Sequence, residues 1–502
     1  MENAYTQVKK TDGGYLTLFA CLLFLVMMTL LFVCLDGILI YQGKSKATMD
    51  MAGAGEHLLA NYDEVLAKRY GLYFLDSNME TRLQARTEVY FEERQGTLSG
   101  IKSRPILDIK AEQIQVNAFG TMQEQDCRYF IEQVVELVKY DTAKEVLVQL
   151  LSDSAQSLRN QNGKIENTKQ KLEDQEAAVQ AAFEENTEDV TAPSNAESRK
   201  QAASLAQAGS PVSVVKDIFQ KGILAFVTDN GNLSEKEISS TNLPSHSKKE
   251  KMPVLSFRAI QNLKDCKELL EQTVLELPEN MKESGALALY GQDYFNYFTR
   301  EDVLSDTELL YEYEYILGGQ TSDIENLEYT AKKLILLRFV LNSAYVFSNL
   351  PLNEQALVLA GQLTGITGSP VIVEGTKYII LSVVSLIESF YDVRALMAGE
   401  EVPLLKNDGT FQTSVTGGFV KKQGMKGLSY EKYLMLLFFL GTDRQEQCLR
   451  MQDLMQCNIS REKPGFSILK PKVGVRIEAV FKQKGKFLPG SYSHERKENY
   501  SY

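Results

Sequence analysis

An uncharged apolar segment near the N-terminus constrains the fold of this chain more than any other feature. Residues 15–35 contain no charged side chain, and the only breaks are the hydroxyls of Thr17 and Thr29. At a rise of 1.5 Å per residue, about 20 such residues cross a hydrocarbon layer of roughly 30 Å. A core helix usually carries a polar face, which this segment lacks. Residues 15–40 are therefore predicted to form a transmembrane helix.

The length of this segment favours an uncleaved anchor over a signal peptide. The apolar region of a signal peptide has about 7–15 residues and ends at small residues. Here the run is longer, and the small residues at 52–54 follow well beyond it. We expect residues 1–14 to form a short cytoplasmic tail and the chain from residue 41 onward to be extracellular. Lysines lie on both sides of the segment, so the distribution of positive charge does not decide the orientation. We infer the orientation from the small size of the tail.

Charge and cysteine content narrow the classes of partner. The formal net charge of −12 argues against a surface that binds nucleic acid or anionic lipid. The chain has no C-x-x-C pair and only three widely separated histidines, so we predict neither a zinc site nor another cofactor. Outside the apolar segment, the cysteines are Cys127, Cys266, Cys448 and Cys457. Buried free thiols are favoured over one disulfide, and both remain open.

Two kinds of periodicity follow the apolar segment. Apolar residues between Leu58 and Tyr70 recur every three or four positions, which predicts that the membrane helix continues as a stalk and stops at Gly71. Alternating apolar residues predict strands at 104–119 and 473–482. Because an isolated strand leaves its backbone groups unmatched, these strands are predicted to pair with each other.

The predicted fold is α+β and predominantly α, with a small antiparallel sheet. Residues 152–252 are polar, and they predict an insertion that is a weak coiled coil at 152–183 or is disordered. Apolar runs at 377–397 and 434–440 are too short for further spans and are predicted to be core helices. The predicted divisions are a tail (1–14), a transmembrane helix (15–40), a stalk with strands and a helix (41–151), the insertion (152–252) and a helical domain with C-terminal strands (253–502).

The sequence carries no motif that identifies a reaction. Phosphate loops, nucleophile elbows, the H-E-x-x-H zinc motif and dinucleotide fingerprints are all missing. Glu388 and Asp392 lie one helical turn apart with Arg394 close by, which permits a cation or acid–base site. A structural ion-pair network that includes Arg338 is the favoured interpretation. An anchored hydrolase is a further alternative, which an open cleft around these residues would support.

Asp36 lies near the outer end of the apolar segment. An ionisable group at membrane depth costs several kcal/mol unless it is paired or reaches the interface. Its position allows it to snorkel to the interface, and the functional alternative is pairing with the transmembrane helix of a neighbouring subunit.

Several stretches carry a resemblance to known proteins. The apolar segment that begins after Gly14 closes on Asp36 and Gly37, and an alanine-containing stalk follows. These features are similar to TadE/TadG-like proteins, minor pilin-like proteins of the tight-adherence (Flp) type IV pilus and related secretion machines. The whole chain resembles a Gram-positive, clostridial-type membrane family of unknown function that is often associated with such loci. The stretches that carry the second resemblance are AKRYGLYFLD (67–76), YEYEYILGG (311–319), ESFYDVRALMAGEEVPLLK (388–406), residues 430–459 and the closing YSY.

The resemblance implies a non-enzymatic accessory or pilin-like component of a Flp/Tad-type pilus or secretion apparatus. Its partners would be the lipid bilayer and other pilin-like membrane proteins, and the processing boundary would lie between Gly14 and Tyr15. Pilins that prepilin peptidase cleaves usually carry Glu five residues after the glycine, where this chain has Phe19. The alternative function is a membrane-tethered extracellular sensor or ligand-binding module.

Overall fold

The fold was described from a computed structural model. It describes residues 12–96, 107, 109–138, 210–229, 231–239, 242–253, 255, 281–364, 370–422, 425–441 and 443–502. The chain divides into two compact units, which we call the sheet unit (Met1–Glu124 with Leu469–Tyr502) and the helical unit (Gln125–Ile468). The structure is mostly helical with one three-stranded antiparallel sheet, which confirms the predicted fold class.

The apolar segment and most of the predicted stalk form one continuous helix. Helix α1 (Asp12–Leu59) has 48 residues and is about 70 Å long. Its most apolar stretch is not buried by any other part of the structure. Among the described residues, α1 is the single helix that is long and apolar enough to cross a membrane.

The predicted stalk helix is interrupted before it reaches Gly71. Helix α1 ends at Leu59, and Asp63 begins helix α2 (Glu64–Tyr70) by accepting two backbone N–H bonds of its first turn. The predicted stop is confirmed, because Gly71 ends α2 with a φ of 67°, which a glycine adopts without strain. A 3₁₀ turn (Ser77–Arg82) and helix α3 (Leu83–Gly96) follow.

The predicted strand pairing is confirmed. Strand β1 (Ile109–Thr121) pairs antiparallel with β2 (Lys472–Lys484), and β2 pairs with β3 (Ser491–Ser501), so β2 is the central strand. The register shifts between Glu112 and Gln115. This β-bulge inserts one residue, and it explains why the apolar alternation of β1 changes phase at that point.

The sheet packs on the second half of α1, so this half is a packing surface rather than a free stalk. Buried side chains of α1 and β2 form the core: Ala47, Met51, Ala54 and Leu58 meet Val475, Ile477, Ala479 and Phe481. Small residues on α1 allow the close approach. A Cβ on Gly43 would lie 2.0 Å from Oε1 of Gln483, and one on Gly55 would lie 2.4 Å from the ring of Tyr500.

The helical unit buries its core among helices. Its described helices are α4 (Glu124–Leu137), α5 (Pro211–Lys221), α6 (Ile223–Val227), α7 (Met281–Tyr294), α8 (Glu312–Gly318), α9 (Asp323–Ser348), α10 (Leu350–Thr364), α11 (Pro370–Met397), α12 (Tyr430–Leu440) and α13 (Arg444–Glu462). Most apolar side chains of α11 and α12 are buried, as predicted for core helices. Helices α9 and α10 reach the length and apolarity of a span only when taken together, and they are bent by 87° at their junction.

The insertion predicted at 152–252 differs from the observed division. Residues 152–209, including the predicted coiled coil, lie outside the described residues. Residues 210–229 instead belong to the helical unit, because Ser210 caps α5 and the side chains of Val212, Val215 and Ile218 are buried. Phe219 of α5 and Phe226 of α6 both make edge-to-face contacts with Phe390 of α11.

Candidate functional site

Asp36 is bound by the turn between β2 and β3, which we call the hairpin tip (residues 485–490). Its Oδ1 accepts the backbone N–H groups of Lys486 (3.1 Å) and Phe487 (3.2 Å), and its Oδ2 accepts that of Leu488 (2.8 Å). The side chain of Asp36 is only 2% exposed. Three consecutive N–H groups of a turn form a concavity that suits an anion, and bonds to a charged acceptor are stronger than neutral ones.

Two further contacts extend this junction along α1. The side-chain amide of Gln483 donates to the backbone oxygen of Leu39 at 2.9 Å. On the other side of Asp36, the rings of Phe487 and Phe32 stack with centroids 5.3 Å apart and planes at 6°. The hairpin of β2 and β3 is therefore fixed to α1 at the C-terminal end of the apolar segment.

The structure gives Asp36 a partner within its own chain, where the sequence predicts either snorkelling or a partner on a neighbouring subunit. Both carboxylate oxygens accept bonds from the hairpin tip. Up to 452 residues separate the two sides of this contact, and no local pattern in the sequence signals it.

A second group of charged side chains lies inside the helical unit. This charged cluster consists of Arg338 on α9, Glu388 and Asp392 on α11, and Lys406 in the segment after α11. Lys406 Nζ lies 2.7 Å from Glu388 Oε1 and 2.6 Å from Asp392 Oδ1, and the Arg338 guanidinium lies 2.9 Å from Asp392 Oδ2. Two cations thus balance two carboxylates.

The charged cluster is sealed from solvent. Each of the four side chains has a relative solvent exposure of 0%. The remaining polar atoms are largely satisfied by neighbours: Arg338 donates to the carbonyls of Pro403 and Leu404, and Glu388 accepts the Thr413 hydroxyl at 2.7 Å. Burial, and then the charge of Asp392, raises the pKa of Glu388, and Lys406 opposes that rise. A closed, neutral network of this kind holds elements together and gives no substrate access.

The structure brings three of the four predicted residues together and adds one that the sequence analysis did not single out. Glu388, Asp392 and Arg338 do meet, whereas Arg394 lies outside the cluster and pairs with Asp229 at a partly exposed position. The missed member is Lys406. No local pattern singles out Lys406, because 18 residues separate it from Glu388 along the chain.

Helix α8, from the YEYEYILGG stretch, carries two buried glutamates. Glu312 accepts bonds from the backbone N–H of Asn296 and the side-chain amide of Asn458. Glu314 Oε1 accepts bonds from the Phe298 N–H (2.9 Å) and the Tyr430 hydroxyl (2.7 Å), but its buried Oε2 has no hydrogen-bond partner. Burial raises the pKa of Glu314 to about 7.

Among the described residues of the helical unit, two clefts are large enough to consider as binding sites. One, of about 210 Å³, has apolar walls that include Leu317 and Leu437 and two cations, Lys333 and Arg450. The other, of about 420 Å³, is polar, and its lining includes Asp293 and Arg300. In the described part of the chain, no group of three His, Cys, Asp or Glu side chains is arranged to hold a metal ion.

The other predicted positions are less informative. Gly14 and Tyr15 lie in the first turn of α1, and Tyr15 is exposed. Cys127 and Cys448 are buried free thiols that hydrogen-bond to each other in the helical unit, and Cys457 is a buried free thiol. Cys266 lies outside the described residues.

Comparison with known proteins gives one family match. A family model described as a family of unknown function (DUF5702) matches residues 201–483, more than half of the chain. No curated protein and no solved structure matches the chain. The matched residues include the whole charged cluster and nearly all of β2, while Asp36 and the hairpin tip lie outside them.

Proposed function

The chain belongs to the DUF5702 family of unknown function, and within it we propose that this protein is a non-enzymatic, single-pass, membrane-anchored surface protein. The observation that carries the proposal is α1, an apolar helix that the rest of the structure leaves unburied. Exposed apolar surface of this size is too costly in water. The same helix continues without a break into the core of the sheet unit, so the anchor and the folded unit are one piece.

The absence of a catalytic role is also part of the proposal. The strongest candidates for acid–base chemistry, Glu388 and Asp392, are neutralised by cations and enclosed. The anchored hydrolase needs an open cleft at these residues, and they have no exposed surface. A cluster of this kind is suited to joining α9, α11 and the segment at Lys406.

The more specific proposal is an accessory or pilin-like role in a Flp/Tad-type pilus or secretion apparatus, in a Gram-positive cell. Its support is the resemblance carried by the apolar segment closing on Asp36 and Gly37 and by the stretches from AKRYGLYFLD (67–76) to the closing YSY. The mechanism would be lateral packing of α1 against transmembrane helices of pilin-like partners. Because Asp36 already binds the hairpin tip, this packing would use the apolar side chains of α1.

The test is to express the tagged protein in its host and purify it from gently solubilised membranes. Mass spectrometry would then identify the co-purifying proteins and the mature N-terminus. Pilin-like partners, or an N-terminus at Tyr15, would support the pilus role. An intact N-terminus without such partners would refute that role and leave the membrane-anchored surface protein. Recovery of the protein from the soluble fraction would refute the anchor itself.

One observation favours the alternative function of a ligand-binding module. The cleft of about 210 Å³ has apolar walls, two cations (Lys333 and Arg450) and two acids (Glu250 and Asp443). Arg450 pairs with Glu250, so Lys333 is the cation that would meet the charged end of a small apolar carboxylate. The test is the thermal stability of the full-length protein in detergent with a series of short-chain carboxylates, compared with Lys333→Met. Stabilisation that the variant lacks would support this function, and identical curves with every carboxylate would refute it.

A further inference from the structure

We propose that the hairpin tip is a second membrane contact, in which Phe487 inserts into the outer boundary between phospholipid headgroups and acyl chains beside α1. The inference rests on the proposed function, since it requires α1 to span the bilayer. It adds a lipid-binding surface on a β-turn more than 440 residues along the chain from the anchor.

The position of Phe487 is set by its contact with α1. Its ring stacks on that of Phe32, which lies three residues before Leu35 at the end of the uncharged segment. At 1.5 Å per residue, Phe32 lies about 5 Å inside the outer end of that segment. If residues 15–35 cross the hydrocarbon layer, the ring of Phe487 lies at the same depth as Phe32.

Four backbone N–H groups of the hairpin tip are satisfied within the protein. A turn at membrane depth must have its N–H groups satisfied by protein, because lipid offers no acceptors there. The N–H groups of Lys486, Phe487 and Leu488 bind Asp36, and that of Gly485 binds the oxygen of Gly490 at 2.9 Å. Pro489 has no N–H group to satisfy.

This arrangement also accounts for an acidic residue at the end of the apolar segment. An uncompensated carboxylate is costly at that depth, and so are three unpaired backbone N–H groups. In the contact between Asp36 and the hairpin tip, each side satisfies the other. The structure therefore removes the main polar penalties of placing this turn in the interface.

The side chains of the hairpin tip fit the interface. Phe487 is 43% exposed although it is a large apolar residue in a turn. Lys484 and Lys486, which both precede Phe487 in the chain, are exposed, and long lysine side chains can extend their charged ends from an apolar boundary to the headgroups. An aromatic ring preceded by lysines is a composition that suits a segment at a membrane surface.

The chain has no tryptophan, so one substitution gives one fluorophore. The experiment uses the full-length protein reconstituted in phosphatidylcholine bilayers whose acyl chains carry bromine, a quencher, either near the headgroup or near the methyl end. The probe is Phe487→Trp. Phe24→Trp, in the middle of the apolar segment, reports on the anchor. Tyr73→Trp reports on an exposed position at the opposite end of the sheet unit.

The expected result is a blue-shifted emission of Phe487→Trp that bromine near the headgroup quenches most. Phe24→Trp should be quenched most by bromine near the methyl end, and Tyr73→Trp by neither. If Phe24→Trp is quenched and Phe487→Trp is not, this inference is overturned while the proposed anchor stands. If Phe24→Trp is not quenched either, the proposed function fails first. A blue-shifted but unquenched Phe487→Trp would indicate that a second protein copy, rather than lipid, covers the hairpin tip.

Discussion

The buried carboxyl of Glu314 gives a prediction whose size follows from the structure. The side chain is 0% exposed, and only one of its two oxygens has hydrogen-bond partners. Burial raises its pKa from 4.5 to about 7. We expect Glu314→Gln to remove this titration and to keep the bonds from Phe298 and Tyr430, because the amide oxygen can replace Oε1.

The sign and size of the effect follow from proton linkage. Between pH 4.5 and about 7, the folded state holds the proton on Glu314 while the unfolded state has lost it. The free energy of unfolding therefore falls as the pH rises through this window. At about 1.4 kcal/mol per pKa unit, the free energy of unfolding of the wild type falls by about 3 kcal/mol over this window. That of Glu314→Gln does not fall, because the amide does not titrate.

The measurement is urea unfolding of the full-length protein in detergent, followed by circular dichroism, at a series of pH values from 4 to about 8. The difference in free energy of unfolding between Glu314→Gln and the wild type should shift in favour of the variant by about 3 kcal/mol across the series and then stay constant. Glu301→Gln is the matched control, because it makes the same chemical change at an exposed position. A pH-independent difference for Glu314→Gln would refute the argument from burial.

Three further predictions concern the junction, the charged cluster and the cysteines. Asp36→Ala leaves three backbone N–H groups unpaired, so limited proteolysis at the hairpin tip should accelerate. The acceleration should be smaller for Asp36→Asn. Equal rates in the wild type and both variants would contradict the role of this carboxylate. Lys406→Met leaves a buried negative charge and should lower the free energy of unfolding by about 3–5 kcal/mol. Adding Glu388→Met should restore part of this loss. A loss below about 1 kcal/mol for Lys406→Met in urea unfolding would contradict the role of Lys406 in the charged cluster. Cys127 and Cys448 hydrogen-bond to each other, so oxidation should reduce the number of thiols labelled after unfolding by two; an unchanged number would show that they do not form a disulfide.

Features that depend on a short window of residues were predictable from the sequence. The length and apolarity of α1, the Gly71 stop and the alternation in β1 and β2 are local patterns. The change of phase within β1 is the local sequence sign of the β-bulge. Strand β3 was missed because its sequence, SYSHERKENYS, has no apolar face and pairs only at the open edge of β2.

Features that depend on distant residues were not predictable. Asp36 binds a turn some 450 residues later in the chain. No sequence pattern predicts that these two parts of the chain approach each other in space. Lys406 shows the same limit over a shorter separation. Helical spacing suggested Arg394 as the cation near Glu388 and Asp392, but the chain after α11 turns back and brings Lys406 into the interior instead.

The arrangement of the sheet unit couples the apolar part of α1 to the packing of the sheet. A membrane helix joined to a domain by a flexible linker would leave the domain free to rotate. Here the face of α1 that carries Asp36, Gly43, Ala47 and Ala54 is covered by the sheet over more than four turns, beginning at the end of the apolar segment. The small residues allow the sheet to approach the helix, and the carboxylate fixes the nearest turn. Under the proposed function, rotation or tilt of α1 in a bilayer would therefore move the sheet with it, and a partner that packs against the apolar side chains of α1 would orient the sheet.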